Sequence, residues 1–390
     1  MSITRLSDGR FRVRVYLGYE KDAKGRERRK LIDRICANEK EAKRLEAQLR
    51  EELRRQEYVP PTRLTVAGFL DEWLEKSAKP SVKRRTYERY KQLVEKHLKP
   101  HLGALRLEKL EPRHVDGMLA DLSGKIADRT RLHVYRCLHR AMEVAVRWRL
   151  VGRNVCDAVE PPKADDPEMV VLSAEEIDRL LQAAKEHHYH GTADSRFYCL
   201  YLAAVFTGMR EGELFGLRWE DLDLEEGIAH VRQTVEQGGK HPVFGTPKNR
   251  KPRAVPLPPE VTDALKAWKV EQEIERAFYA QGYRDFGLVF TRPNGEPLSP
   301  SAFAHGPHQA IVEKAKLPKR LRFHDLRHTF ASRALAAGAN VRAISEILGH
   351  HDPGFTLRVY SHVLATDKAE ASEKLANYLR SSPKKQEPGR

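Results

Sequence analysis

Cysteine is scarce: the 390 residues include only Cys36, Cys137, Cys156 and Cys199, scattered and without a C-x-x-C pair. That excludes a disulfide framework or a zinc knuckle and leaves four free thiols as the expectation. No stretch approaches the about 18 consecutive apolar residues of a membrane-spanning helix. The first residues, MSITRLSDGR, lack the apolar segment of a secretion signal. A soluble cytoplasmic protein is therefore expected. Also missing is G-x-x-x-x-G-K-[ST], so no nucleoside triphosphate is implicated. His187, His188 and His190 lie close together but lack acidic or cysteine partners at ligand spacing, and read as exposed loop; no metal or other cofactor is expected. Acidic residues are in deficit, 55 against 70 Lys and Arg, and the net charge of +15 suits a polyanionic partner.

What is present divides into three parts and a tail. In residues 1–60, Gly9 to Tyr16 alternates basic and apolar side chains, the period of a half-buried strand with one cationic face. A Gly-containing turn and one or two more strands follow, then a helix from Asn38 that Pro60-Pro61 stops. Residues 64–160 are helical throughout. Phe69, Leu70, Trp73 and Leu74 form one buried stripe, and Leu138, Ala141, Val144, Ala145 and Trp148 another. A Pro-rich strap from Glu160 to Pro167 leads to residues 168–380, which open on Ser173 and Glu176, an S-x-x-E capping box. There FYCLYLAAVFTGM reads as a buried helix, and residues 228–258 switch to strand patterning in IAHVRQTV, HPVFGTPK and RAVPLP. Residues 381–390 read as a disordered tail.

The chemistry concentrates in residues 322–363, RFHDLRHTFASRALAAGANVRAISEILGHHDPGFTLRVYSHV. Leu326, Phe330, Ala334 and Leu335 recur at helical spacing, and His324 and Arg327, three apart, neighbour each other on that helix. Gly338 is placed to end it. Val341, Ile344, Ile347 and Leu348 predict a second helix that Gly349 terminates, leaving His350 at its exit. Pro353-Gly354 predicts a turn, after which a helix carries Tyr360. Taken singly, a tyrosine or a histidine is more often structural than reactive. Together they suit a phosphodiester: arginine matches phosphate oxygens with a planar fork, histidine moves a proton near neutral pH, and tyrosine can form a covalent intermediate.

HDLRHTFAS, then ILGH, then a tyrosine ten positions beyond that histidine resemble the C-terminal signature of the tyrosine recombinases, the phage integrase family. TGMREGELFGLRWEDLD resembles the family's upstream arginine motif and places Arg210; GTPKNRKPRAVPLP resembles its β-hairpin motif and places Lys248. The chain departs from the family pattern between His350 and Tyr360, where it has Pro353, Gly354 and Phe355. The resemblance implies a mainly α multidomain fold: an arm-type DNA-binding domain of three-stranded sheet plus helix (1–60), a core-binding helical bundle (64–160), and a mixed α/β, mostly α, catalytic domain (168–380).

It further implies that Tyr360 attacks DNA to give a 3′-phosphotyrosine, with Arg210, Arg327 and His350 stabilising the transition state, His324 accepting the tyrosine proton and Lys248 protonating the leaving 5′-oxygen. Glu213, one turn after Arg210, is placed to orient the arginines. Candidate DNA contacts are Arg10, Arg12 and Arg14 in the arm domain and Lys83, Arg84, Arg85, Arg89 and Lys91 in the bundle. Implied partners are double-stranded attachment-site DNA, three further copies in a homotetramer, and, as accessory factors, a DNA-bending protein and an excisionase; the implied location is the bacterial cytoplasm, at the nucleoid. KAEASEKLANYL (368–379) reads as an amphipathic helix that docks on a neighbouring copy. Integration of a phage or mobile element is the leading expectation. A chromosome-dimer resolving recombinase, a type IB topoisomerase and a non-catalytic DNA-binding regulator are the alternatives.

Overall fold

The computed structural model describes residues 2–21, 27–54, 63–165, 168–189, 192–193, 195–239, 241–247, 252–350 and 352–364. The chain forms two compact units, Met1–Asp166 and Pro167–Arg390.

The first unit begins with an antiparallel sheet in sequential order, Ser2–Arg5, Phe11–Lys21 and Glu27–Cys36, followed by the helix Glu39–Arg54. The basic–apolar alternation does what the period-two pattern requires: Val13 and Val15 are buried with Ile32, Cys36, Ala42 and Leu49, while Arg12 and Arg14 point the other way. Both arginines lean toward Asp33 on the adjacent strand, Arg14 Nε at 3.0 Å and Arg12 Nε at 3.4 Å. Arg10 closes the preceding turn by donating to Asp8.

The rest of that unit is helical and buries a separate apolar cluster running from Val66 to Val159. Two of its helices contain an internal proline, Pro80 and Pro100. Proline lacks an N–H and clashes with the carbonyl four residues back. In both helices a single wide turn, Leu74–Ala78 and Val94–Leu98, precedes the Lys-Pro pair, and Lys79 N–H reaches back five residues to Leu74 O. The helix continues at the cost of one loosened turn. Phe69, Leu70, Trp73 and Leu74 are buried as patterned, but Trp148 is 36% exposed. It caps the helix Asp128–Arg147 and meets Phe69 edge-on, at the rim of the core.

In the second unit the buried helix Arg196–Thr207 forms the centre of a core that also takes in Phe215, Trp268, Phe303 and Phe323. Ser173 and Glu176 make the reciprocal capping box at the entrance, with Glu176 N–H donating to Ser173 Oγ and Ser173 N–H to Glu176 Oε2. IAHVRQTV forms two strands, not one. Ile228–Val231 pairs with Arg253–Pro256 and with Leu222–Asp223, while Thr234–Gln237 pairs with Val243–Gly245. The His187 region is also more ordered than a loop: His188–Tyr189 pairs with Thr192–Ala193, and His187 packs on Phe197; His190 lies outside the described residues. Three helices complete the unit, Asp325–Ala336, Val341–Leu348 and Pro353–Leu364. The last starts at Pro353 itself, where a turn was expected. Proline suits the first helical position because its missing N–H would be unpaired there, and Asp352 accepts from Gly354 N–H like an N-cap.

All four cysteines are buried and unbridged, and burial pushes the Cys137 and Cys156 thiols up to about 12. No described helix is long and apolar enough to cross a membrane.

Candidate active site

Two glycine turns place the cationic groups. The helix Arg196–Thr207 ends at Gly208, φ 59°, and Val341–Leu348 ends at Gly349, φ 63°, both left-handed C-caps. Helix C-termini present carbonyls that no later N–H satisfies, at the negative end of the helix dipole. The arginines take them. Arg327, only 3% exposed, donates from Nη1 to Gly208 O at 2.9 Å and from Nη2 to Leu348 O at 2.6 Å. Arg210 donates from Nη2 to Gly349 O at 3.1 Å. Burial and the neighbouring Arg210 guanidinium push Arg327 down to about 9, which leaves it cationic at neutral pH.

Glu213 accepts from the Arg210 backbone N–H at 3.0 Å and from Nη1 at 2.8 Å. It also holds a second arginine that the sequence reading passed over. Arg253 grips Glu213 with both terminal nitrogens, at 3.0 and 2.6 Å, and its Nε donates to Ile347 O at 2.7 Å. Burial alone would raise the Glu213 carboxyl; Arg253, then Arg210, overcome that and hold it at about 2. The signal for Arg253 was available: in RAVPLP it falls on the same face as the buried Val255 and Leu257, where a charge needs a partner.

Tyr360 comes in from the helix Pro353–Leu364 and packs, 1% exposed, among Ala331, Leu335, Ile344 and Leu348. Its hydroxyl lies 2.7 Å from Nδ1 of His328. Burial pushes Tyr360 up to about 12 and His328 down, which keeps the phenol protonated and the imidazole neutral at pH 7. His324, expected to contact Tyr360, instead sits one ring away, with its centroid 5.3 Å from that of His328 and edge-on. It is exposed at the helix start, on a groove of about 640 Å³ lined by Lys319, Arg320 and Arg322 and by Glu211 and Glu313. His350 has Nδ1 2.7 Å from the buried Thr356 Oγ1, and burial, then Arg327 and Arg210, hold it at about 4. It is therefore neutral at pH 7.

The structure thus brings Arg210, Glu213, His324, Arg327, His350 and Tyr360 into one region of the second unit. Lys248 and residues 368–379 and 381–390 lie outside the described residues. Arg10, Arg12, Arg14 and the exposed Lys83, Arg84, Arg85, Arg89 and Lys91 belong to the first unit, the last four of these on the helix Arg84–Leu93.

Residues 170–367, just over half the chain, match the phage integrase family, and residues 65–123 match the phage integrase N-terminal SAM-like domain. The ICEBs1 integrase of Bacillus subtilis (strain 168) is 24% identical over 384 residues, which cover 97% of this chain and 100% of that protein. The integrase of Mycobacterium phage L5 is 28% identical over 319 residues, 80% of each chain. Among solved structures, the Tn1549 transposon integrase with a circular intermediate DNA has the same fold at a TM-score of 0.66 and 21% identity, covering 81% of this chain and 99% of that one. A lambda integrase dimer bound to a COC′ core site aligns at 0.56 and 17% identity, over 94% and 95% of the two chains. The chain therefore belongs to the phage integrase family of tyrosine recombinases and is a site-specific integrase.

Proposed function

We propose that the chain integrates, and helps excise, a phage or mobile element by cleaving double-stranded DNA with Tyr360 as nucleophile. The O–P bond to Tyr360 forms as the bond to the 5′-oxygen breaks, leaving a 3′-phosphotyrosine and a free 5′-hydroxyl. A second 5′-hydroxyl reverses the step, so no external energy source is needed. The pentacoordinate transition state carries more negative charge than the phosphodiester, and groups already fixed in place stabilise it selectively. Arg210, Arg327 and His350 take that role, Glu213 orients Arg210, and Lys248 is assigned to the leaving oxygen. The observation that carries the reading is the pair of guanidinium groups, Arg210 and Arg327, held by backbone carbonyls beside the buried Tyr360.

Residues 1–60 are assigned to arm-type DNA, 64–160 to the core site and 168–380 to catalysis. The Tn1549 and lambda integrase complexes with DNA support a DNA partner. Four copies on two synapsed sites, assisted by a bending protein and an excisionase at the nucleoid, complete the proposal. A chromosome-dimer resolvase would use the same chemistry, but leaves the basic N-terminal sheet and helix without a task.

The test is a DNA duplex from the sequence flanking the gene, nicked so that the 5′-hydroxyl fragment diffuses away after cleavage. The unaltered protein traps as a covalent adduct on a denaturing gel, and Tyr360→Phe gives none. Adduct that persists in Tyr360→Phe would remove the nucleophile assignment; binding without adduct in the unaltered protein would favour a DNA-binding regulator.

A further inference from the structure

The resemblance gives the Tyr360 proton to His324, but the group against the Tyr360 hydroxyl is His328. We infer that His328 is the general base for Tyr360, taking the phenolic proton on Nδ1 as the nucleophile attacks and returning it when the phosphotyrosine is resolved. The inference rests on Tyr360 being the nucleophile. Four observations carry it. The His328 Nδ1 to Tyr360 hydroxyl distance, 2.7 Å, is already that of a proton-transfer hydrogen bond. Tyr360 is 1% exposed, so bulk water does not compete for its proton. His328 follows Arg327 on the same helix, so the base and a phosphate-binding guanidinium are carried by one rigid element. Finally, His324, the other candidate, packs against His328 with ring centroids 5.3 Å apart, while the Tyr360 hydroxyl is held by His328 Nδ1.

The charges around His328 permit the transfer. Asp325, one helical turn earlier and fully buried, favours the imidazolium, although Arg322 already binds it with Nε and Nη2. Arg322 and Arg327 oppose the imidazolium, and the His324 ring, held at about 4 mainly by burial and so neutral, packs T-shaped against it. His328 is thus unprotonated before attack and gains charge only as the phenolate oxygen loses its proton to it. Proton and charge balance: the Tyr360 proton moves to His328, the O–P bond forms, the bond to O5′ breaks, and Lys248 supplies the proton to O5′. Reversal returns both.

The experiment follows adduct formation on the nicked duplex in single turnover with the full chain. His328→Gln keeps a polar side chain of similar reach but cannot take a proton, and is expected to slow adduct formation about 100-fold with DNA binding unchanged. A ring-fluorinated tyrosine at position 360, whose hydroxyl is more acidic, should recover at least about 10-fold of that loss because it needs the base less. A His328→Gln rate within about 3-fold of the unaltered protein overturns the inference, as does a slow rate that fluorination leaves unimproved, which would mark a packing role. Should His328→Gln not fold, the fluorinated tyrosine in the His328 protein decides. An acidic limb of the pH–rate profile that stays in place supports histidine as the titrating base; a limb that moves with the acidity of the phenol overturns it. Loss of the recombinase reading itself would look different, as adduct that survives Tyr360→Phe.

Discussion

Replacing Arg253 tests how the site is held together. Its three hydrogen bonds join the Glu213 carboxylate to the carbonyl of Ile347, and so link the helix that Arg210 begins to the helix that precedes His350. The side chain is 11% exposed and that of Glu213 2%, so the pair is buried and solvent screening is weak. Arg253→Ala leaves Glu213 with Arg210 alone and strands the Ile347 carbonyl. Breaking one side of a buried ion pair costs about 3–5 kcal/mol.

An independent route gives a similar figure. Glu213 is lowered from 4.5 to about 2, and at 1.36 kcal/mol per pKa unit that represents roughly 3 kcal/mol, shared with Arg210. The sign follows from the depressed carboxyl: its contribution is complete above pH 4.5, the unfolded value, and disappears as pH falls toward 2. The assay is urea-dependent hydrogen exchange read by mass spectrometry on peptides of the second unit, in the full chain. Arg253→Ala should lower its unfolding free energy by about 3–5 kcal/mol and move the acid loss of stability to higher pH, since Glu213 no longer stays so acidic. Arg253→Lys keeps the charge but not the fork, and should fall between the two. In a double-mutant cycle, Glu213→Gln should offset part of the Arg253→Ala loss. A loss under about 1 kcal/mol, or strict additivity, would refute the linkage argued here.

Gly208→Ala should destabilise the second unit by about 2–4 kcal/mol, from a left-handed backbone and an added Cβ that meets Phe330. The same Cβ lies 2.9 Å from Leu348 Cδ2, and φ is +59°. An unchanged urea midpoint would refute this. His350, held at about 4, is neutral at pH 6, and a nearby phosphate oxygen should raise it. Binding DNA should then take up protons between about pH 5 and 6.5, seen as buffer-dependent heats in calorimetry and absent in His350→Gln. Equal heats in all buffers would count against a His350–phosphate contact. Replacing Arg12 and Arg14 together with glutamine should weaken arm-site binding across sequences and flatten its salt dependence by about two phosphate contacts in a gel-shift series. An unchanged salt slope would place DNA elsewhere on the sheet.

Helices, strands and the candidate site residues were largely legible in the sequence because they depend on local causes. Period-two alternation set the inward Val13 and Val15, Gly349 ended a helix where only a left-handed residue fits, and Ser173 with Glu176 marked a helix entrance. Arg210, Arg327, His350 and Tyr360 stood out because their motifs surround them with apolar anchors. What a side chain touches across the fold was not legible. His324 and His328 are four residues apart on one helical face, and nothing local says which one Tyr360 reaches; the docking of Pro353–Leu364 decides it. Arg253 likewise becomes Glu213's partner only when the strand Arg253–Pro256 is brought beside the short helix Glu211–Phe215, 40 residues back along the chain. The sequence by itself determined which groups could do the chemistry, since residue type and local spacing set chemical capacity. Tertiary packing decided which of them meet and which are buried, because contact and desolvation arise only when distant segments close on one another.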